Sequence, residues 1–190
     1  MFELLEIYKP AIIIVHALFA AIGLGCVVVT DTLFFRFLKD FKISREEQGT
    51  LDTISRIIWI SIFILFITGL FLFFISPQAY LIKSKFVTKV IIFGIIVLNG
   101  LILSSVLTPY LQKISFGVIP KKTPHHLRIL RRIAYGAGVV SFISWLSVFI
   151  LGSVPSIPLS AKGALLVYIA LCTIGVVASQ GYAMYVSKKR

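Results

Sequence analysis

The stretch Ile57-Ile58-Trp59-Ile60-Ser61-Ile62-Phe63-Ile64-Leu65-Phe66 holds nine apolar residues in ten, one hydroxyl and no charge. A strand that turns one face to water or to a barrel lumen alternates polar and apolar positions; this run does not, so it reads as a helix surrounded by apolar matter. Continued to Ile75 it reaches nineteen residues, close to the ~20 needed to cross a hydrocarbon core of about 30 Å at about 1.5 Å per residue. The same length test selects four further runs: Ala11 to Phe35, Phe86 to Leu107, Ile133 to Gly152 and Ala164 to Val186.

Composition agrees with these segments. Of the 190 residues 58% are hydrophobic and only 14% are charged, against roughly 45–50% and 25% in soluble domains. Mean hydropathy is +1.01. So much apolar surface needs lipid as its solvent. The expectation is an all-α, polytopic membrane protein: one transmembrane domain over residues 1–190, with five helices at about 10–36, 45–75, 84–108, 124–152 and 161–187. The first ten residues carry Glu3, Glu6 and Lys9 and lead into a run too long for a leader's apolar core. The first helix is therefore expected to span rather than to be cleaved. Cys26 and Cys172 lie inside apolar runs without CxxC spacing and read as small packing residues.

The net charge of +12 would imply nucleic acid on a soluble surface, but the basic residues fall between the apolar runs. Fourteen lie on one side: Arg36, Lys39, Lys42, Arg45 and Arg56; Lys113, Lys121, Lys122, Arg128, Arg131 and Arg132; and Lys188, Lys189 and Arg190. Five lie on the other: Lys9, Lys83, Lys85, Lys89 and Lys162. The positive-inside rule then predicts an amino terminus outside, a carboxyl terminus in the cytoplasm and residence in the cell's plasma or inner membrane. Expected partners are the bilayer itself, anionic lipids at the basic loops, and a second copy or a membrane-complex subunit; nucleic acid is not among them. Ser44 and Glu47 fit a capping box that starts the second helix, and Thr123-Pro124 predicts an N-cap and N1 proline for the fourth.

Ionisable groups inside a span are costly, so each is a candidate for function. His16 lies in the first span, and its helical neighbours Ala20, Gly23, Val27 and Thr30 form a small-residue stripe. It should face the bundle, as a ligand or in an interhelical hydrogen bond. Lys89 enters the third span from the same side and either shares a pocket with His16 or snorkels to the headgroups. Asn99 follows deeper in that helix. The fourth span carries Ala134, Gly138, Ser141 and Trp145 on one face, and the fifth Tyr168, Cys172, Gly175 and Ser179. These stripes could line the same space or simply pack. Asp31 lies about 22 Å along the first helix from His16, near Arg36 and Arg56, and an interfacial ion pair is expected there. His125 and His126 belong to the basic face.

Lys9 and His16, the sequence Thr68-Gly69-Leu70 ending the second span, and Ser84-Lys85-Phe86-Val87-Thr88-Lys89 opening the third together resemble a group of small helical membrane proteins. That group contains the copper-resistance protein D family and the HemJ-type protoporphyrinogen oxidases. The resemblance covers roughly the first 110 residues. It implies haem b or porphyrin chemistry, with His16 as metal ligand and Lys89 beside it. The family's further third-span histidine has no counterpart here, where Asn99 is the polar residue. The cofactor expectation is therefore haem b, a porphyrin, a quinone, a copper ion or none, in an outer-leaflet pocket near His16, Lys89, Asn99, Trp145 and Tyr168. The alternatives are a small transporter or channel with a polar path through His16, Lys89 and Asp31, or a non-catalytic assembly subunit.

The orientation is directly testable. A Thr123→Cys variant in a background with Cys26 and Cys172 replaced by Ala is expected to react with an impermeant maleimide only after cells are opened. Labelling of intact cells would invert the topology.

Overall fold

The computed structural model describes residues 2–37, 42–117 and 123–188. Among them all regular structure is helical, and five helices are long and apolar enough to cross a membrane. Helix α1 covers Phe2–Phe37 and α2 covers Arg45–Ile75. A single turn, α3 (Pro77–Leu81), leads into α4 (Ser84–Leu101). The chain then widens into a π-helical segment, Ile102–Leu107, and tightens into a 3-10 segment, Thr108–Lys113. Helices α5 (His125–Ser153) and α6 (Ala161–Lys188) complete the bundle.

The helix ends follow local chemistry. At α2 the Ser44 hydroxyl accepts from the Glu47 amide at 3.2 Å, and the Ser44 amide donates to the Glu47 carboxylate at 2.8 Å, the reciprocal box expected from sequence. At α5 the expectation needs correction. Pro124, extended at ψ 143°, is itself the N-cap, and no side chain caps the helix. Its carbonyl takes the amides of Leu127 and Arg128, so the backbone alone starts the helix. The widened segment after α4 has a plain cause: Pro109 offers no amide to the carbonyl four residues back, and the Thr108 hydroxyl instead donates to Leu103 O at 3.0 Å.

Helix α5 is the hub, packed against α1, α4 and α6, while α1 and α2 form an antiparallel pair. Close approach depends on missing side chains. A Cβ at Gly23 would overlap the Trp145 ring, and one at Gly175 would lie 2.6 Å from Val139. Trp145 is 2% exposed within a cluster of Val27, Ile62, Leu65 and Ile96. A second cluster fills the opposite end around Leu51, Leu107, Leu111, Phe116, Leu130 and Tyr135. Outward faces are apolar too: Ile14, Phe63, Leu166, Ile174 and Val177 are 64–67% exposed, as lipid contact requires.

The buried hydroxyls of Ser61 and Thr88 turn back on their own helices, to Ile57 O and Ser84 O at 2.9 Å each, and are so satisfied in an apolar surrounding. Arg131 departs from its expected place on a solvated face. It is 4% exposed and donates to Phe116 O at 2.8 Å and Ala183 O at 3.0 Å. Its guanidinium thus ties the segment before α5 to α6, over the Tyr135 ring.

The Gly23 contact gives a measurable outcome. Gly23→Leu is expected to lower thermal stability in detergent, at a cost of about 1–3 kcal/mol for overpacking. Adding Trp145→Ala should recover part of the loss, as a space conflict at one contact requires.

Candidate functional site

The polar groups of the spanning helices fall into two regions at opposite ends of the bundle. At one end, the His16 imidazole lies beside α2, its Nδ1 2.8 Å from Thr68 Oγ1. Thr68 has a single hydroxyl hydrogen, with acceptors in Ile64 O at 2.7 Å and in the ring. With that hydrogen on Ile64 O the Thr68 oxygen accepts from the ring, which puts the proton of a neutral imidazole on Nδ1 and the lone pair on Nε2; with it on Nδ1 the tautomer is the reverse. The ring also lies beside Gly69, where a Cβ would make an ordinary van der Waals contact, 3.7 Å from His16 Cε1.

Lys89 stands within electrostatic reach of that imidazole. Its stem crosses toward the end of α5, where a Cβ on Gly152 would lie 3.6 Å from Nζ. It is half-buried and does not run outward with Lys83, and no hydrogen-bond or ion-pair partner holds it among the described residues. Lys85, one turn earlier, donates to the carbonyls of Val154 and, at 3.2 Å, Pro155. Both ammonium groups thus meet the carbonyl end of α5, where a helix favours cations.

The other three residues named from sequence do not join this pair. Trp145 packs on Gly23, seven residues or roughly 10 Å below His16. Tyr168 is bonded to Ser144 at 2.8 Å, next to Trp145. The Ser144 hydroxyl also faces Val140 O, and when it donates there the tyrosine is the donor of the pair. Asn99, ten residues or roughly 15 Å beyond Lys89, donates to Ala137 O at 2.9 Å and locks α4 to α5. Each of these three makes an interhelical contact.

The second region is a cavity of about 900 Å³ in the opposite half, where all five spanning helices contribute walls. None of His16, Lys89, Asn99, Trp145 or Tyr168 lines it. Asp31 does, together with Asp52, Ser55, Ser104, Ser141 and Tyr182, among a majority of apolar side chains. The expected ion pair is absent: neither Arg36 nor Arg56 reaches Asp31, which has no hydrogen-bond or ion-pair partner among the described residues. The carboxylate instead points across to α5, 4.0 Å from where a Gly138 Cβ would be. Asp52 and Ser104 were not legible as site residues, because one sits in a cytoplasmic-looking helix start and the other owes its direction to the π-helical widening. Away from both regions, His126 sets its ring edge against Tyr110, with centroids 6.1 Å apart.

The fold and these two regions define an all-helical, multi-pass membrane-type protein with polar groups at both ends of an apolar bundle. Comparison with protein-family models, curated proteins and solved structures finds no significant match to the chain.

The tautomer assignment can be checked by nitrogen NMR of ring-labelled protein. His16 is expected to show a protonated Nδ1 and an unprotonated Nε2. In Thr68→Val the Nε2–H form should gain population, with stability falling by about 0.6 kcal/mol, the usual worth of an interhelical hydrogen bond.

Proposed function

We propose that this chain is a plasma- or inner-membrane protein, amino terminus outside, that holds haem b or a related porphyrin at His16 and Lys89 in the outer half of the bundle. The observation that supports the reading is the His16–Thr68 contact: with the Thr68 hydrogen on Ile64 O, the ring donates through Nδ1 and keeps a lone pair on Nε2, the state a metal requires. Thr68 then acts as the outer partner that orients the ligand. Lys89, an ammonium beside it with no hydrogen-bond or ion-pair partner among the described residues, suits the propionate of such a group.

The donor set also selects among ligands. No group of three or more His, Cys, Asp and Glu residues gathers among the described residues. A bare copper or zinc ion needs about three or four protein donors, whereas a porphyrin brings four nitrogens of its own and asks the chain for one axial ligand. His125 and His126 begin α5 at the opposite end, so one chain offers a single imidazole and a second would come from another copy. A bound haem would supply one-electron chemistry; the chain's own share would be to ligate through His16 and hold an acid group at Lys89.

A small transporter or channel is a second reading, favoured by the cavity that opens around Asp31 in the other half. It would use His16, Lys89 and Asp31 as stations at different depths.

The visible spectrum separates the two. Protein purified in detergent after expression with haem supply is expected to show a Soret band, lost in His16→Ala and weakly retained in Lys89→Met. A colourless wild type that is stable and monodisperse would overturn the porphyrin reading.

A further inference from the structure

We propose that the cavity around Asp31 is a binding site for a lipophilic organic cation, an ammonium or phosphonium carrying an apolar body, with Asp31 as its counter-ion. The inference stands on this cavity alone and is independent of the His16 reading.

The space comes first. About 900 Å³ lies within the size of sites that take drug-sized molecules. It is built rather than incidental: the π-helical segment that follows α4 supplies one wall through Leu103, Ser104 and Leu107, and Gly138 leaves the α5 wall low opposite Asp31.

Charge then selects the occupant. The ionisable groups that line the cavity, besides the phenols Tyr135 and Tyr182, are Asp31 and Asp52; no Lys, Arg or His is among its lining residues. Neither carboxylate is bonded to another described group. A carboxylate turned inward between apolar helices, with no cationic partner among the described residues, is complementary to a positive charge brought from outside. A small hydrated cation is a poor match, because most of the wall is hydrocarbon and no cluster of metal-ligating residues is present among the described residues. An apolar body fits that wall, to which Phe34 and Phe142 add aromatic rings that favour a diffuse positive charge.

The test uses tetraphenylphosphonium and its anionic isostere tetraphenylborate, which share shape and differ in sign, on the full chain purified in detergent. Wild type is expected to bind the phosphonium saturably and the borate much more weakly. Asp31→Asn should weaken phosphonium binding by roughly tenfold or more while reducing the preference over borate, and Asp52→Asn should have a smaller effect in the same direction. Gly138→Leu, which narrows the cavity without touching charge, should weaken both probes, and it keeps the proposal testable if Asp31→Asn fails to fold. Equal binding of the two probes by wild type would mark the cavity as a slot for acyl chains and overturn the proposal. So would phosphonium binding that Asp31→Asn and Gly138→Leu leave unchanged, or its absence in wild type.

Discussion

An unpaired backbone or side-chain polar group in an apolar surrounding is costly, and this constraint shapes the whole bundle. Helices satisfy their own amides and carbonyls, and the interior hydroxyls follow suit. Ser61, Thr68, Thr88, Ser104 and Ser144 each donate to a carbonyl one turn back. That local habit has consequences at longer range. When Thr68 and Ser144 give their hydrogens to their own helices, their oxygens are left to accept from His16 and Tyr168.

Against this background the groups that break the habit stand out. Asn99 reaches a neighbouring helix's carbonyl, and Arg131 bonds two carbonyls with its Nε left without a partner. Lys89 and Asp31 go further and have no partner among the described residues. One lies beside the His16 imidazole and the other in the wall of the cavity, at opposite ends of the same bundle. An ammonium and a carboxylate so separated cannot neutralise each other.

The same contacts also explain why the bundle holds together without a hydrophobic force between helices in lipid. Packing is concentrated where glycine faces a large ring or a branched chain: Gly23 against Trp145, Gly100 against Trp59 and Gly175 against Val139 and Ile143. These are the contacts through which dispersion can favour association over solvation by lipid tails. They also set the depth at which α1 meets α5 and α2 meets α4, and so where the polar groups end up.

Much of the architecture was legible in the chain, because the cost of polar groups in lipid acts on every residue of a span and leaves a signal about twenty residues long. Five apolar runs became five helices, Ser44 and Glu47 made their box, and His16 turned to the bundle as its small-residue stripe required. The sequence could not say which polar residues meet. Asn99, Trp145 and Tyr168 looked like companions of His16 because they are polar or aromatic residues of other spans that could line the same space, and tertiary contacts drew each to a different neighbour. The cavity around Asp31 was equally hidden, since it depends on a helix widened ahead of Pro109 and on five helices converging around one space. Periodicity reports which side of a helix is covered; what covers it depends on crossing angle and depth, which only packing between distant parts of the chain decides.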